Sequence, residues 1–568
     1  MKQQAPRTGY KHVIPEIEDW PIYQLSEDRR RFIQDIDAFT LKRFMALPIS
    51  KQTDILSKTI YQERIRMKEE PWKVDPPNER QFWKKIQSEL VGHSLDRGEE
   101  EAKRTNQELL QRIIHRYSEE IVGTFRKKTF LFARRFLTLF FTRLLNTAAG
   151  RNIHRFWGSK HRLQDRLLVR GHVETVRKLM TKGTVVIVPT HFSNLDSILI
   201  GYALDSFVGL PSFSYGAGLN LYNTGYTAYF MNRLGAYRVD RRKKNQIYLE
   251  TLKAVSNLSI QRGVNSLFFP GGTRSRSGTM EKHLKLGLMS TAVEAQRATY
   301  EQGKDRKVFI IPLILGYHFV LEAQFLIDQH LKRMGKERYI RSKDDFYSLR
   351  KVLKFAWRFF SEENEITLSF GQPMDVLGNY VDEHGESYDQ YGNRIDLKEY
   401  FVSNGKVSAD LQRESEYTRH LGERIVERYY KDNIVLTSHL VAFAAFQILK
   451  NKNPRLDLYA LLRLPPDDYI FPKDSMRSVV GQLRDRLMKM AEEDEIKLSE
   501  QLMWDVDRLI EDGIKRLGTY HLAKPLRFTK NGQIVSESFK VLYFYHNRLE
   551  GYQLAQGIQW KQYALEMV

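Results

Sequence analysis

The spacing of apolar positions changes character along this chain, and each change marks a region. Residues 1–120 are polar overall, with acidic and basic side chains interleaved as in Arg97-Gly98-Glu99-Glu100-Glu101-Ala102-Lys103-Arg104. They read as an N-terminal helical region with solvated charged faces. From 165 to 375 short apolar runs alternate with longer, helically spaced segments. The runs Val185–Pro189, Tyr237–Val239, Ser266–Phe269, Val308–Leu313 and Ile366–Phe370 are the expected strands. Ser197–Ser206, Tyr222–Leu234, Asn245–Arg262 and Leu284–Arg297 are the expected helices. Such alternation predicts an α/β layered domain whose chemistry lies on loops at strand ends.

Between these two regions, 121–164 contains no acidic residue. Arginines and lysines from Arg126 to Arg162 are interleaved there with Phe130, Phe132, Phe136, Leu139, Phe140 and Leu144. That pattern predicts a basic amphipathic helix lying in a membrane interface, attracted by anionic lipid. A core helix whose arginines reach out to solvent is the other reading. Residues 376–409, rich in Gly, Asp, Asn and Tyr, read as a polar insertion or linker, and 410–568 as a C-terminal helical domain. Its apolar segment Val435–Leu449 falls short of the roughly 18–20 residues a spanning helix needs.

Length, charge and cysteine content narrow the function. A chain of 568 residues predicts several domains. The balance of 90 basic against 69 acidic side chains gives a net charge of +21 and points to polyanionic partners. Absence of cysteine excludes disulfides, thiolate metal sites and a cysteine nucleophile. The first residues, Met1-Lys-Gln-Gln-Ala-Pro-Arg7, have no apolar core and are not expected to be a signal peptide. No nucleic-acid partner is expected, because the arginines form no groove-reading motif.

Two signatures directly follow expected strands. In His191-Phe-Ser-Asn-Leu-Asp196, a carboxylate in the first helical turn can accept from one imidazole nitrogen, leaving the other to take a proton near neutral pH. Asn194 and Asp196 fit helix N-caps equally well. In Phe269-Pro-Gly-Gly-Thr-Arg-Ser-Arg-Ser-Gly278, glycines let backbone N–H groups turn toward an anion while Arg274 and Arg276 grip phosphate. The plainer reading is a surface turn with solvated arginines. Gly235-Ala-Tyr-Arg-Val-Asp-Arg-Arg242 ends a short strand in clustered charge. Ile310-Ile-Pro-Leu313 suggests pocket wall rather than catalyst.

In this order and with these gaps, the four blocks within 185–375 resemble those of the glycerolipid acyltransferase family: H-x4-D, G-x-x-F-x-x-R, F-P-E-G-T-R-S and a V/I-P block. The similarity is greatest to the glycerol-3-phosphate and dihydroxyacetone-phosphate acyltransferase branch. It is carried by Ala217-Gly-Leu-Asn220, Arg274-Ser-Arg276 with Gly278, and Gly316-Tyr317 with Glu322. The tail Val541-Leu-Tyr-Phe-Tyr-His-Asn547 resembles a helical segment of the bacterial glycerol-3-phosphate enzymes. Two positions depart from the pattern. Gly271 stands where the third block carries glutamate, and Arg238 where the second usually has phenylalanine. Asp240-Arg241 is similar to the form common among lysophosphatidate acyltransferases.

The resemblance implies a mixed-sheet acyltransferase domain flanked by N- and C-terminal helical regions. It implies transfer of a fatty acyl chain from acyl-CoA or acyl carrier protein to the sn-1 hydroxyl of glycerol 3-phosphate, the first step of phospholipid synthesis. His191 is then the base and Asp196 its partner. Arg241, Arg242, Arg274, Arg276 and Lys285 are the expected phosphate ligands. Gly271, Gly272 and Thr273 are candidate oxyanion donors, and Pro312 a pocket wall. Neither metal nor cofactor is expected. A peripheral or monotopic place on the cytosolic face of a membrane, a bacterial inner membrane in expectation, follows from the same likeness. The 1-acyl derivative and dihydroxyacetone phosphate stay open as acceptors, and a non-catalytic lipid-binding relative stays open as another class.

Overall fold

The computed structural model describes residues 9–72, 75–92, 98–146, 167–222, 225–335 and 365–560. Six helices come first: α1 (Pro21–Glu27), α2 (Arg29–Met45), α3 (Ile49–Glu69), α4 (Glu79–Gly92), α5 (Glu99–Ile121) and α6 (Lys127–Asn146). In α5 the apolar positions Leu109, Leu110, Ile113, Ile114, Tyr117 and Ile121 form one buried stripe. Glu99, Glu100 and Glu101 occupy its first turn, where negative charge complements the helix dipole.

The sheet domain contains β1 (Leu167–Gly171), α7 (Val173–Met180), β2 (Gly183–Pro189), α8 (Asp196–Ser206), β3 (Ser214–Gly218), α9 (Gly225–Met231) and β4 (Ala236–Val239). It continues with α10 (Gln246–Gln261), β5 (Ser266–Leu267), α11 (Leu286–Glu301), β6 (Lys307–Tyr317), α12 (Ala323–Arg333) and β7 (Ile366–Phe370). The seven strands lie in the order β1-β7-β6-β2-β5-β3-β4. β6, β2, β5, β3 and β4 are mutually parallel, β7 runs antiparallel to β6, and β1 pairs parallel with β7. The expected mixed-sheet α/β architecture is therefore observed. β2 is buried along its whole length, as its unbroken Val-Val-Ile-Val run requires of a strand covered on both faces. The helix expected over Tyr222–Leu234 is shorter, a 3-10 turn at Leu219–Tyr222 followed by α9.

The N-terminal helices have no core of their own. Phe32, Ile36, Leu56, Ile60, Trp83, Ile113 and Tyr117 form one cluster with Ile247, Tyr248, Leu252 and Val255 of α10. Each fully buried large side chain contributes about 1.5–3 kcal/mol, so α10 is held from both sides. A buried polar network reinforces the join: Arg66 pairs with Glu63, Asp75 and Glu79, and Asn245 donates to Glu63.

Residues 376–409 are folded rather than a free linker. β8 (Tyr380–Val381), β9 (Ser387–Tyr388) and β10 (Arg394–Ile395) form an antiparallel meander, and Asp382 and Asp389 each accept backbone N–H groups in the two turns. Val381, Leu397 and Phe401 are buried, which fixes the segment to the domain.

The C-terminal helices are α13 (Leu411–Lys431), α14 (Thr437–Lys452), α15 (Lys473–Glu492), α16 (Val506–Arg516) and α17 (Phe539–His546); α15, α16 and α17 pack around α14, while α13 packs on α11 and β6. Every residue of α14 from Thr437 to Leu449 is buried, so its apolar length is explained by a protein core. That core is continuous with the sheet, and Tyr429 donates to the Val188 carbonyl at 2.9 Å. No helix among the described residues is long and apolar enough to cross a membrane.

Candidate active site

Because β2, β4, β5 and β6 are parallel, their carboxyl ends open onto one edge of the sheet, where α/β folds bind ligands. His191 follows β2, Arg241 follows β4, the glycine–arginine turn follows β5, and Glu322 follows β6.

His191 Nδ1 lies 2.8 Å from Asp196 Oδ2. An ionised carboxylate only accepts, so Nδ1 carries the proton and Nε2 presents its lone pair. The His191 side chain is 17% exposed and Asp196 is wholly enclosed, giving an accessible base on a dry orienting group. Asp196 Oδ2 also accepts from the Phe192 and Ser193 N–H groups, and Tyr317 donates to Oδ1 at 2.7 Å. Burial, then the Asp196 charge, holds the Tyr317 hydroxyl well above its ordinary pKa, so it stays a donor. The imidazole stacks on Phe269 with ring centroids 4.1 Å apart.

The turn after β5 is bonded directly to this loop. Ser275 N–H donates to the His191 carbonyl at 2.8 Å. Arg274 pairs with Glu322 at 3.3 Å, and the same buried carboxyl accepts from Asn194 N–H and Ser193 Oγ. Glu322 thus locks the arginine turn to the histidine loop. Burial raises the Glu322 pKa, with the Arg274 charge opposing.

Beyond its Glu322 partner, Arg274 faces other arginines. Burial and then the Arg274 charge lower the Arg241 pKa. Arg241 is exposed to solvent. Arg276 is lowered by burial, then by Arg333, Arg274 and Arg241. Arg276 reaches only the Gln329 amide oxygen, and Arg241, Lys285 and Arg333 have no ion-pair partner among the described residues. These cations repel one another and lack carboxylate partners, an arrangement that an anion would relieve. Arg333, in the last turn of α12, was not among the expected ligands; only the fold brings it to this edge.

Other expected residues lie differently. Arg242 is committed to Asp75 and Asp240 at 2.6 and 2.7 Å and to the Glu70 carbonyl, so its charge braces the N-terminal helices instead of facing the cluster. Lys285 lies alongside Gly272, where a Cβ would come within 2.9 Å of its Nζ. Gly272 N–H is used by the Phe269 carbonyl, which removes it as an oxyanion donor. The N–H groups of Gly271 and Thr273 have no such partner among the described residues. Pro312 is buried within β6, opposite Val188 and beside Gly371, as part of the sheet rather than a wall next to His191.

The C-terminal region closes one side. Gly278, at φ +87°, lets the chain pass the α17 backbone so tightly that a Cβ would sit 2.0 Å from the Phe544 carbonyl oxygen. Asn547 donates to the Ser277 carbonyl, and the Val320 N–H donates to the Tyr545 hydroxyl. Buried Arg548 spans Phe192 and donates to the Leu315 carbonyl and Asn433. No group of histidines and carboxylates suited to a metal occurs among the described residues.

On the outside, α6 exposes Lys128, Phe132, Arg135, Phe136 and Leu139 along one face, with the three apolar side chains 54–59% exposed. Its other face is fixed by the Arg134–Asp205 ion pair at 2.6 Å and by Phe130 against Trp20. The remainder of the predicted interface segment, 147–164, lies outside the described residues.

Residues 170–316 match the family model described as Acyltransferase. The chain is 26% identical to the glycerol-3-phosphate acyltransferase of Aeromonas hydrophila over 345 residues, which is 59% of this chain and 37% of that protein. It is also 26% identical to the protein of that name from Pseudomonas aeruginosa, over 53% of this chain and 31% of the relative. A third, from Actinobacillus succinogenes, is 29% identical over 38% of this chain and 24% of its own length. The chain thus aligns with about a third or less of these curated relatives.

Proposed function

With an acyltransferase domain over residues 170–316 as its premise, we propose that this chain transfers a fatty acyl group from a thioester, on coenzyme A or acyl carrier protein, to the sn-1 hydroxyl of glycerol 3-phosphate. One observation carries the reading: an imidazole with a free Nε2 on a buried carboxylate, at the same sheet edge as a cluster of unpaired arginines. Phosphate held by Arg241, Arg276 and Arg333, with Arg274 and Lys285 alongside, uses binding energy to position a hydroxyl at His191. Nε2 takes the hydroxyl proton as oxygen attacks the thioester carbonyl, and Asp196 stabilises the imidazolium. Collapse of the tetrahedral intermediate breaks the C–S bond, and the imidazolium returns its proton to the leaving thiolate. The N–H groups of Gly271 and Thr273 are the candidate donors to the oxyanion.

The outward face of α6 supports docking on an anionic bilayer, on the cytosolic side where thioester donors occur. Phe132, Phe136 and Leu139 would enter the acyl boundary while Lys128 and Arg135 meet headgroups. The pathway step, the first acylation in phospholipid synthesis, follows from the proposed acceptor.

The test is acyl transfer from long-chain acyl-CoA or acyl carrier protein to radiolabelled glycerol 3-phosphate on anionic vesicles. Wild type should form 1-acylglycerol 3-phosphate, and His191→Ala should not. Product only with 1-acylglycerol 3-phosphate or dihydroxyacetone phosphate would reassign the acceptor. Activity undiminished in His191→Ala would refute the proposed base.

A further inference from the structure

The third block lacks its glutamate, since Gly271 holds that position, yet a carboxyl occupies the neighbouring space. Glu281 lies in the loop between β5 and α11, ten positions further along the chain. Its Oε1 accepts from His191 N–H at 3.1 Å. Its Oε2 is buried and has no hydrogen-bond partner. A Cβ placed on Gly271 would meet Glu281 Cγ at 3.1 Å, Oε1 at 3.2 Å and Cδ at 3.7 Å, and these are its three nearest neighbours. Gly271 has no left-handed backbone that would itself demand glycine. What crowds a side chain there is the Glu281 side chain, which would have to give way by a few tenths of an ångström.

We propose that Glu281 replaces the missing glutamate from elsewhere in the chain and acts as a positioning residue for His191. The inference rests on the reading of His191 as the base. With Ser275 N–H on its carbonyl and Glu281 on its N–H, the His191 backbone is held from both sides by the loop that carries the arginines. Buried Arg548 supplies a counter-charge felt by Glu281. Glycine at 271 and glutamate at 281 are then one arrangement, each requiring the other.

The experiment is a substitution cycle read by kinetics and by melting. Glu281→Ala should lower kcat by about 10²-fold, the scale for a slightly misplaced catalytic group, with KM for glycerol 3-phosphate unchanged. Glu281→Gln, whose amide oxygen still accepts from His191, should retain most of the activity. Gly271→Glu alone should lower both activity and melting temperature, because two side chains compete for one volume. Combining Gly271→Glu with Glu281→Ala should recover both. A double variant no better than the worse single one, with additive melting shifts, overturns the proposal. So does a Glu281→Ala enzyme with wild-type kcat. The melting cycle does not depend on the reaction: coupled melting in a wild-type chain that transfers no acyl group would support the replacement and refute the proposed function instead.

Discussion

Replacing Tyr317 by Phe removes one hydroxyl from the centre of the site. That hydroxyl donates to Asp196 Oδ1 at 2.7 Å, while the three other bonds to the carboxylate all go to Oδ2. Asp196 is fully enclosed, so water cannot take over the lost bond. A hydrogen bond to a charged group contributes about 1.5–3 kcal/mol, and the retained ring leaves the packing almost unchanged. The expected loss of stability is therefore about 1.5–3 kcal/mol, measured by urea unfolding followed through tryptophan fluorescence. The same bond steadies the carboxylate that faces the imidazolium in the transition state. At 1.36 kcal/mol per decade, kcat should fall by about tenfold and at most about 150-fold. KM for the phosphorylated acceptor should not change, because Tyr317 bonds none of the arginines. In an Asp196→Ala background the Tyr317→Phe penalty should vanish, since the acceptor is already gone. A variant with wild-type kcat and unfolding curve, or a penalty that persists without Asp196, would refute the reasoning.

Two further outcomes follow from the charge distribution. Arg333→Ala should raise KM for glycerol 3-phosphate with little effect on unfolding, whereas Arg242→Ala should lower stability and leave KM near wild type; the reverse pattern would place the phosphate on the wrong arginine. Burial depresses the pKa of His318, His439, His521 and His546, the last to about 3 with Lys450 adding to the effect. Their stabilisation is complete above the unfolded value of about 6.5 and is lost as pH falls from there toward the folded value, at about 2 kcal/mol per histidine by pH 5. His546→Phe, which keeps a ring against Phe443 and Phe446, should flatten the slope of unfolding free energy between about pH 6 and pH 5 by about one proton. Glu281, Glu322 and Asp375, whose pKa values are raised by burial, act in the opposite sense in both proteins, so the difference isolates His546. An unchanged slope would show that His546 protonates without unfolding.

The amino-acid sequence by itself determined what depends on near neighbours. Val185–Val188 is an apolar run with no polar face, which suits a strand covered on both sides. His191 and Asp196 sit five positions apart across a strand-to-helix turn, so their pairing needs no distant partner. Only the tertiary structure decided how neighbours in sequence divide their work. Arg241 and Arg242 are adjacent and chemically alike, yet Asp75, 167 positions away, takes the second and leaves the first without a carboxylate among the described residues. Tyr317 reaches Asp196 across 121 positions, and only the fold sets the Arg333 charge against Arg276. The N-terminal region showed its helical spacing openly, but not that its apolar stripe closes on α10 instead of on itself. In sequence Gly271 reads as a lost carboxylate, and only the fold sets the Glu281 side chain beside it. Periodicity records which face of an element is apolar; it carries no record of what that face, or a charge at its end, meets after the chain has turned back on itself.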